Sequence, residues 1–199
     1  MQTTIRKRAM IALPIVAILS LALLYYFVKI KPMMRAGREQ GQYIDAASRR
    51  RVSEFRFEMK DGARAVSDYR GKVLLIDVWA TWCGPCVGSI PHLARLGEKY
   101  REKGFELVAL SVDKGRWSDV DPFVEKRADI NYSLAVPVGE TDVYFKTLID
   151  LNPLGDVAAL PTAFLIDSEG RLAGKFVGAG RYEEIESRIA KLIDEAASS

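Results

Sequence analysis

The chain has 199 residues, room for one domain of ordinary size and an appendage. Its formal net charge is +3, which gives no ground for a nucleic-acid binder. Two cysteines and one histidine, His92, fall short of the four ligands that a structural zinc site takes, and no metal ligand set is assigned.

The charge is unevenly spread. Residues 1–51 carry 10 Lys/Arg against 2 Asp/Glu, and the remainder carries 19 against 24. A basic head on a mildly acidic body suits a membrane surface. Within the head, residues 9–28 (AMIALPIVAILSLALLYYFV) hold no charge. At about 1.5 Å per residue they would span roughly 30 Å, the thickness of a bilayer core. Arg6, Lys7 and Arg8 precede them, and Tyr25, Tyr26 and Phe27 stand where interfacial aromatics gather. The run ends in Tyr-Tyr-Phe-Val-Lys, a poor site for leader cleavage, so residues 9–28 read as a permanent anchor behind a cytoplasmic stretch, residues 1–8. The cations flanking the span nearly balance, so they do not orient it. Residues 29–50, rich in Arg, Gln and Gly, read as a basic tether whose charges face lipid headgroups.

The body is expected to start at Arg51. Phe55, Phe57 and Met59 alternate with Glu54, Arg56 and Glu58 as in a half-buried strand. Lys60-Asp61-Gly62 marks a turn, and residues 63–66 return as a hairpin partner. Residues 73–78 (VLLIDV) form a buried strand. Val87, Ile90, Leu93, Leu96 and Tyr100 recur at helical spacing, with Pro91 as a kink.

Between that strand and that helix lies Trp-Cys-Gly-Pro-Cys, residues 82–86. A cysteine at a helix N-terminus meets free N–H groups and the positive end of the macrodipole, so its thiolate forms more easily. Cys83, the outer residue, is the expected attacking sulfur, and Cys86, one turn inside, the resolving one. Pro85 suits a first turn, and Gly84 admits a second chain close by. Asp77 interrupts the apolar strand six residues before Cys83. A carboxyl there is costly to charge, and its expected role is to take and return the proton of the Cys86 thiol through water. A structural disulfide or a solvated strand-end carboxylate are the blander readings of the same residues. For His92, a satisfied surface role is preferred to proton carriage.

Residues 105–112 (FELVALSV) read as the next strand, and residues 113–117 as a loop on the edge that carries the cysteines, where ligands of open α/β sheets gather. Trp117 is expected either on a partner surface or packing the helix 120–128. Residues 133–136 form a short strand and 143–151 a helix. Residues 162–167 and 171–177 alternate around Ser168-Glu169-Gly170 as an antiparallel hairpin. Residues 181–197 close the body as an amphipathic helix.

LLIDVWATWCGPC at 74–86, Pro91, and AALPTAFLID at 158–167 resemble the thioredoxin superfamily, and within it the membrane-anchored TlpA/ResA-like thiol–disulfide oxidoreductases, over roughly residues 51–195. The resemblance implies a thioredoxin-like α/β fold: a central mixed sheet flanked by helices, with an N-terminal β-hairpin, a strand–helix insertion and one preceding transmembrane helix. It implies that Cys83 and Cys86 are the redox pair and that Pro161 is a cis-proline facing them. Trp82, Gly84, Pro85 and the backbone of Leu160 would then line the substrate site, Leu160 pairing with an extended client segment. No cofactor is expected beyond the redox-active Cys83–Cys86 disulfide. The implied partners are client protein disulfides, such as apocytochrome c or a copper-delivery protein, and a transmembrane thiol reductase as electron donor. The catalytic domain is expected on the extracytoplasmic (periplasmic) side of the cytoplasmic membrane. The Gly-Pro dipeptide is that of thioredoxin, a reductant at about −270 mV, which favours a reductase. An oxidase or isomerase using the same residues, or a Cu(I) site on the two cysteines, are the alternatives.

Overall fold

The computed structural model describes residues 19–21, 23–26, 41–52, 54–138, 157 and 159–198. The chain divides into two units, residues 1–40 and 41–199, and the second carries the sheet. Its elements are β1 (Gly41–Tyr43), β2 (Arg56–Met59), β3 (Gly62–Ala65), β4 (Val73–Trp79), α1 (Gly84–Tyr100), β5 (Phe105–Ser111), α2 (Trp117–Val124), β6 (Ser133–Pro137), β7 (Thr162–Ile166), β8 (Leu172–Val177) and α3 (Tyr182–Ala197).

The eight strands form one mixed sheet in the order β1-β8-β7-β4-β5-β6-β2-β3. β4 lies parallel to β5 and antiparallel to β7, and all seven of its residues are buried. A strand covered on both faces needs no polar alternation, which is why VLLIDVW reads as an apolar run broken only by Asp77. On one face Val73 and Leu75 pack with Leu107 and Leu165 against Leu93 and Leu96 of α1 and Ile189 and Leu192 of α3. On the other, Leu74, Ile76 and Val78 pack with Val108, Phe164 and the hairpin residues Phe55 and Phe57. Two apolar layers thus sandwich the sheet, the thioredoxin-like α/β arrangement expected.

The β2–β3 hairpin forms with Phe57 opposite Arg64, and it joins the sheet through β6. α1 runs on through Pro91 and stops before Gly104, whose φ of 80° is open to glycine at low cost. α2 starts at Trp117 and ends at Val124, three residues before the expected start and four before the expected end. Its first turn is polar (Ser118, Asp119), so apolar spacing does not reveal it.

The folded unit begins ten residues before Arg51. Residues 41–50, expected as part of the tether, belong to the body. β1 pairs antiparallel with the outer edge of β8, Ile44 N–H donates to the Ala173 carbonyl (2.8 Å), and Leu172 N–H donates to the Arg50 carbonyl (2.9 Å). Arg49 does not face lipid. Its side chain is buried and pairs with Glu195 at 2.7 Å and Asp167 at 3.4 Å. The physical reason is that β8 would otherwise present a bare edge. Gly41 faces Phe176 near the end of β8 where Val177 pairs with Thr162, so the chain enters the sheet at the end that carries Trp79 and Thr162.

Among the described residues no helix is long and apolar enough to cross a membrane. Most of the stretch 9–28, residues 29–40 and the expected helix 143–151 lie outside the described residues.

Candidate active site

β4 delivers the chain to the carboxyl end of the sheet, where residues 80–82 turn it into α1. Cys83 is the N-cap of α1, and Pro85 falls in its first turn. Cys83 and Cys86 are joined by a disulfide across a Cα–Cα distance of 5.3 Å. The Cys83 sulfur accepts the Cys86 N–H at 3.3 Å, taking the place of the oxygen of an ordinary N-cap side chain. The same N–H and the helix dipole would stabilise negative charge on that sulfur once the disulfide opens. Both cysteines are buried in this oxidised form, Cys83 at 6% exposure and Cys86 at 2%. What the site shows to solvent is its rim. Trp82 is 71% exposed, Gly84 and Pro85 are exposed, and a Cβ added at Gly84 would meet nothing within 4 Å.

Asp77 lies two residues before the end of β4, on the sheet face that α1 covers. Its cross-strand neighbours are alanines, Ala109 on β5 and Ala163 on β7, which leave room for its side chain. It is 4% exposed and makes no hydrogen bond or ion pair among the described residues. Burial alone pushes its carboxyl up to about 7. A carboxyl that titrates near neutral pH can accept and return a proton during catalysis.

The Leu160–Pro161 bond is cis. The Pro161 carbonyl accepts Gly178 N–H at 2.8 Å, and Thr162 Oγ1 donates to the Ala159 carbonyl at 2.7 Å. Leu160 is half-buried and packs on the apolar cluster that contains Cys83 and Cys86. The structure therefore brings Cys83, Cys86, Pro161 and Leu160 to one end of the sheet, the end near which Asp77 also lies on β4.

Other residues of that end fall into place. His92 stacks on Tyr182 with ring centroids 4.0 Å apart, and its Nδ1 faces Arg95 at 2.6 Å, so it is a satisfied side chain. Trp117 packs against the core and donates Nε1–H to Glu58 at 3.1 Å. Asp113 was legible only as part of a loop. It is 2% exposed, and its carboxyl receives hydrogen bonds from Thr81 and Ser111. A polar residue directly after a buried strand, level with the end of β4, is the signal that marks it. Among the described residues no group of three or more His, Cys, Asp or Glu is placed to hold a metal ion.

The Redoxin family model matches residues 51–193. The chain belongs to the Redoxin family. A Bacillus cereus protein named thiol-disulfide oxidoreductase ResA is 33% identical over 127 residues, which cover 64% of this chain and 67% of that one. The Oceanobacillus iheyensis protein of the same name is 30% identical over 146 residues, 73% of this chain and 70% of its own. Among solved structures, a thiol:disulfide interchange protein DsbE from Chlorobium tepidum superposes with a TM-score of 0.60 at 28% identity, covering 78% of this chain and 98% of the other. A secreted thiol-disulfide isomerase from Corynebacterium glutamicum reaches a TM-score of 0.67 at 19% identity over 78% of this chain and 93% of its own, a likeness of fold alone. This Redoxin-family chain is a thiol:disulfide oxidoreductase of the ResA/TlpA-like branch of the thioredoxin superfamily.

Proposed function

We propose that this oxidoreductase works as a membrane-anchored reductase of protein disulfides, held by residues 9–28 and acting outside the cytoplasm. The observation that carries the reading is the Cys83–Cys86 pair at the N-terminus of α1, at the same end of the sheet as a buried carboxyl that burial pushes up to about 7. In the reduced enzyme the Cys83 thiolate attacks one sulfur of a client disulfide. An S–S bond forms between enzyme and client, and one client sulfur leaves as a thiolate. Cys86 gives its proton to Asp77 and attacks Cys83, which forms the Cys83–Cys86 disulfide and frees the second client sulfur. Two electrons pass to the client through the sulfurs, and its two thiolates take up one proton from Asp77 and one from solvent. Trp82, Gly84, Pro85 and the backbone of Leu160 form the rim on which an extended client segment would lie.

The oxidised enzyme must be reduced again, and in an oxidising compartment the source would be a thiol reductase within the membrane. The chain enters the sheet at its active-site end, and residues 29–40 extended reach at most about 40 Å. Clients of cytochrome c or copper-site assembly fit the ResA relationship.

Trapping tests the reading. In cells, Cys86→Ser should leave Cys83 joined to its client, and mass spectrometry of the adduct names it. A folded Cys86→Ser protein that accumulates no mixed disulfide would remove the reductase reading. Sodium carbonate extraction tests the anchor separately: a full-length chain released into the supernatant is not anchored by residues 9–28.

A further inference from the structure

Beyond the two sulfurs and Asp77, one buried side chain is built into the turn that carries the nucleophile. The last β4–β5 rung is Val112 N–H to the Trp79 carbonyl at 2.9 Å. Past it the two backbones separate, and the Asp113 carboxyl takes over. Oδ2 accepts Thr81 N–H at 2.9 Å and Ser111 Oγ–H at 2.7 Å, and Oδ1 accepts Thr81 Oγ1–H at 2.7 Å. Thr81 is the middle of a turn closed by Cys83 N–H to the Ala80 carbonyl at 3.1 Å. Asp113 itself is fixed from behind. Its N–H donates to Ser111 Oγ at 3.0 Å, and its carbonyl accepts Arg116 N–H at 3.0 Å. The turn thus hangs from a neighbouring strand through one side chain.

We propose that Asp113 is a positioning residue of the redox pair, acting through Thr81 to hold the Ala80–Cys83 turn, and with it the nucleophilic sulfur, in place. The role matters most in the reduced enzyme. While the disulfide is closed, Cys86 ties Cys83 to α1 by a covalent bond. When it opens, that covalent tie is lost, and the turn is held by its own closing bond, by Val87 N–H to the Cys83 carbonyl at 3.0 Å and by the Asp113 clamp on Thr81. An attacking sulfur must keep near-attack geometry, and a displacement of about 1 Å can cost up to a hundredfold in rate. The inference rests on the thiol–disulfide reading of the site and adds to it a residue from a different strand.

The test uses the full-length protein in detergent, reduced, with insulin as the disulfide, at a temperature well below the unfolding midpoint of every variant. Asp113→Ala removes all three acceptor contacts and should slow exchange about tenfold or more. Asp113→Asn should retain activity within about threefold, because its oxygen can accept Thr81 N–H while its amide donates to Thr81 Oγ1. The reduction potential should move with Asp113→Ala and return with Asp113→Asn, since a tenfold change in the exchange equilibrium is about 30 mV. Thr81→Ala, which keeps the backbone contact and loses the hydroxyl, should fall between them, and it decides the matter if Asp113→Ala does not fold.

Folded Asp113→Ala with wild-type rate and potential overturns the proposal. So does Asp113→Asn as slow as Asp113→Ala, which would point to charge rather than hydrogen-bond geometry, or Thr81→Ala with an unchanged rate. Wild-type protein inert towards insulin defeats the redox reading itself. Active wild type with an equally active Asp113→Ala defeats only the positioning role.

Discussion

The two ends of the sheet bury ionisable groups in opposite ways. At the cysteine end, Asp77 is enclosed between Ala109 and Ala163 with no hydrogen bond or ion pair among the described residues, and burial pushes its carboxyl up to about 7. At the other end, Arg49 is equally enclosed but pairs with Asp167 and Glu195, while Arg171 adds a second contact to Asp167 at 2.9 Å. A buried charge with its partners in place fastens segments together; one without them is costly and changes protonation easily. The far end therefore secures β1, and the near end holds a carboxyl that changes protonation near neutral pH.

The sharpest break of this comparison is at the near end. Cys83→Ser should lower disulfide exchange by more than about a thousandfold if Cys83 is the attacking sulfur, as proposed, since Cys86, the other cysteine, is the more deeply buried of the two. Stopped insulin reduction, with α/β circular dichroism intact, is the expected result. Residual exchange within tenfold of wild type would assign the attack to Cys86 instead.

Asp77 should show its strain as a pH dependence of stability. Its native carboxyl lies near 7, above its ordinary value near 4, so between those limits the native state binds more protons than the unfolded one. The penalty is absent below about pH 4, grows as pH rises to about 7 and is constant above it, reaching on the order of 4 kcal/mol. Asp77→Asn mimics the protonated acid. The variant should match wild type near pH 4 in urea unfolding of the oxidised protein and exceed it by a few kcal/mol at pH 8. It should also slow exchange at neutral pH by about a hundredfold, the smaller end of general acid–base effects. A stability gap that does not change with pH would mean that Asp77 is not held neutral by burial.

These contrasts also show what a sequence can reveal. The strand–Cys-Gly-Pro-Cys–helix unit was legible because β4 is apolar but for Asp77 and α1 keeps its helical period past Pro91. The β7–β8 hairpin was legible from two short β-prone runs around Ser168-Glu169-Gly170, although both strands are buried nearly throughout rather than alternating. β1 was not, because three residues are too few for a period and its pairing partner lies more than a hundred residues away. Arg49 read as one more cation of a basic tether for the same reason, its carboxylates being distant in the chain. Asp113 read as loop because its donors, Thr81 and Ser111, come from two strand ends that only the fold brings together.

At the far end the expected effect is on stability alone. Arg49→Ala leaves Asp167 buried with one of its cationic partners gone, and removal of one member of a buried pair costs about 3 kcal/mol or more. The urea midpoint should fall accordingly, while exchange per folded molecule stays as in wild type. Loss of exchange in the folded variant would mean that the two ends communicate.

Glu58 carries the smallest expected effect and the finest discrimination. Its carboxylate links the β2–β3 hairpin to the loop beside the cysteines, accepting Arg116 Nη2–H at 2.7 Å and Trp117 Nε1–H at 3.1 Å. Its partners resemble those of Asp113 in number but not in setting, for the Glu58 and Arg116 side chains are 42% and 37% exposed. Solvent screens such a pair, so Glu58→Gln should cost no more than about 1 kcal/mol in urea unfolding and leave exchange unchanged. Asp113 and Glu58 hold opposite ends of one loop, so comparing their variants separates the buried contact from the exposed one. If Glu58→Gln slows exchange as Asp113→Ala should, the whole loop from Asp113 to Trp117 positions the sulfurs, and the buried clamp is only part of that device.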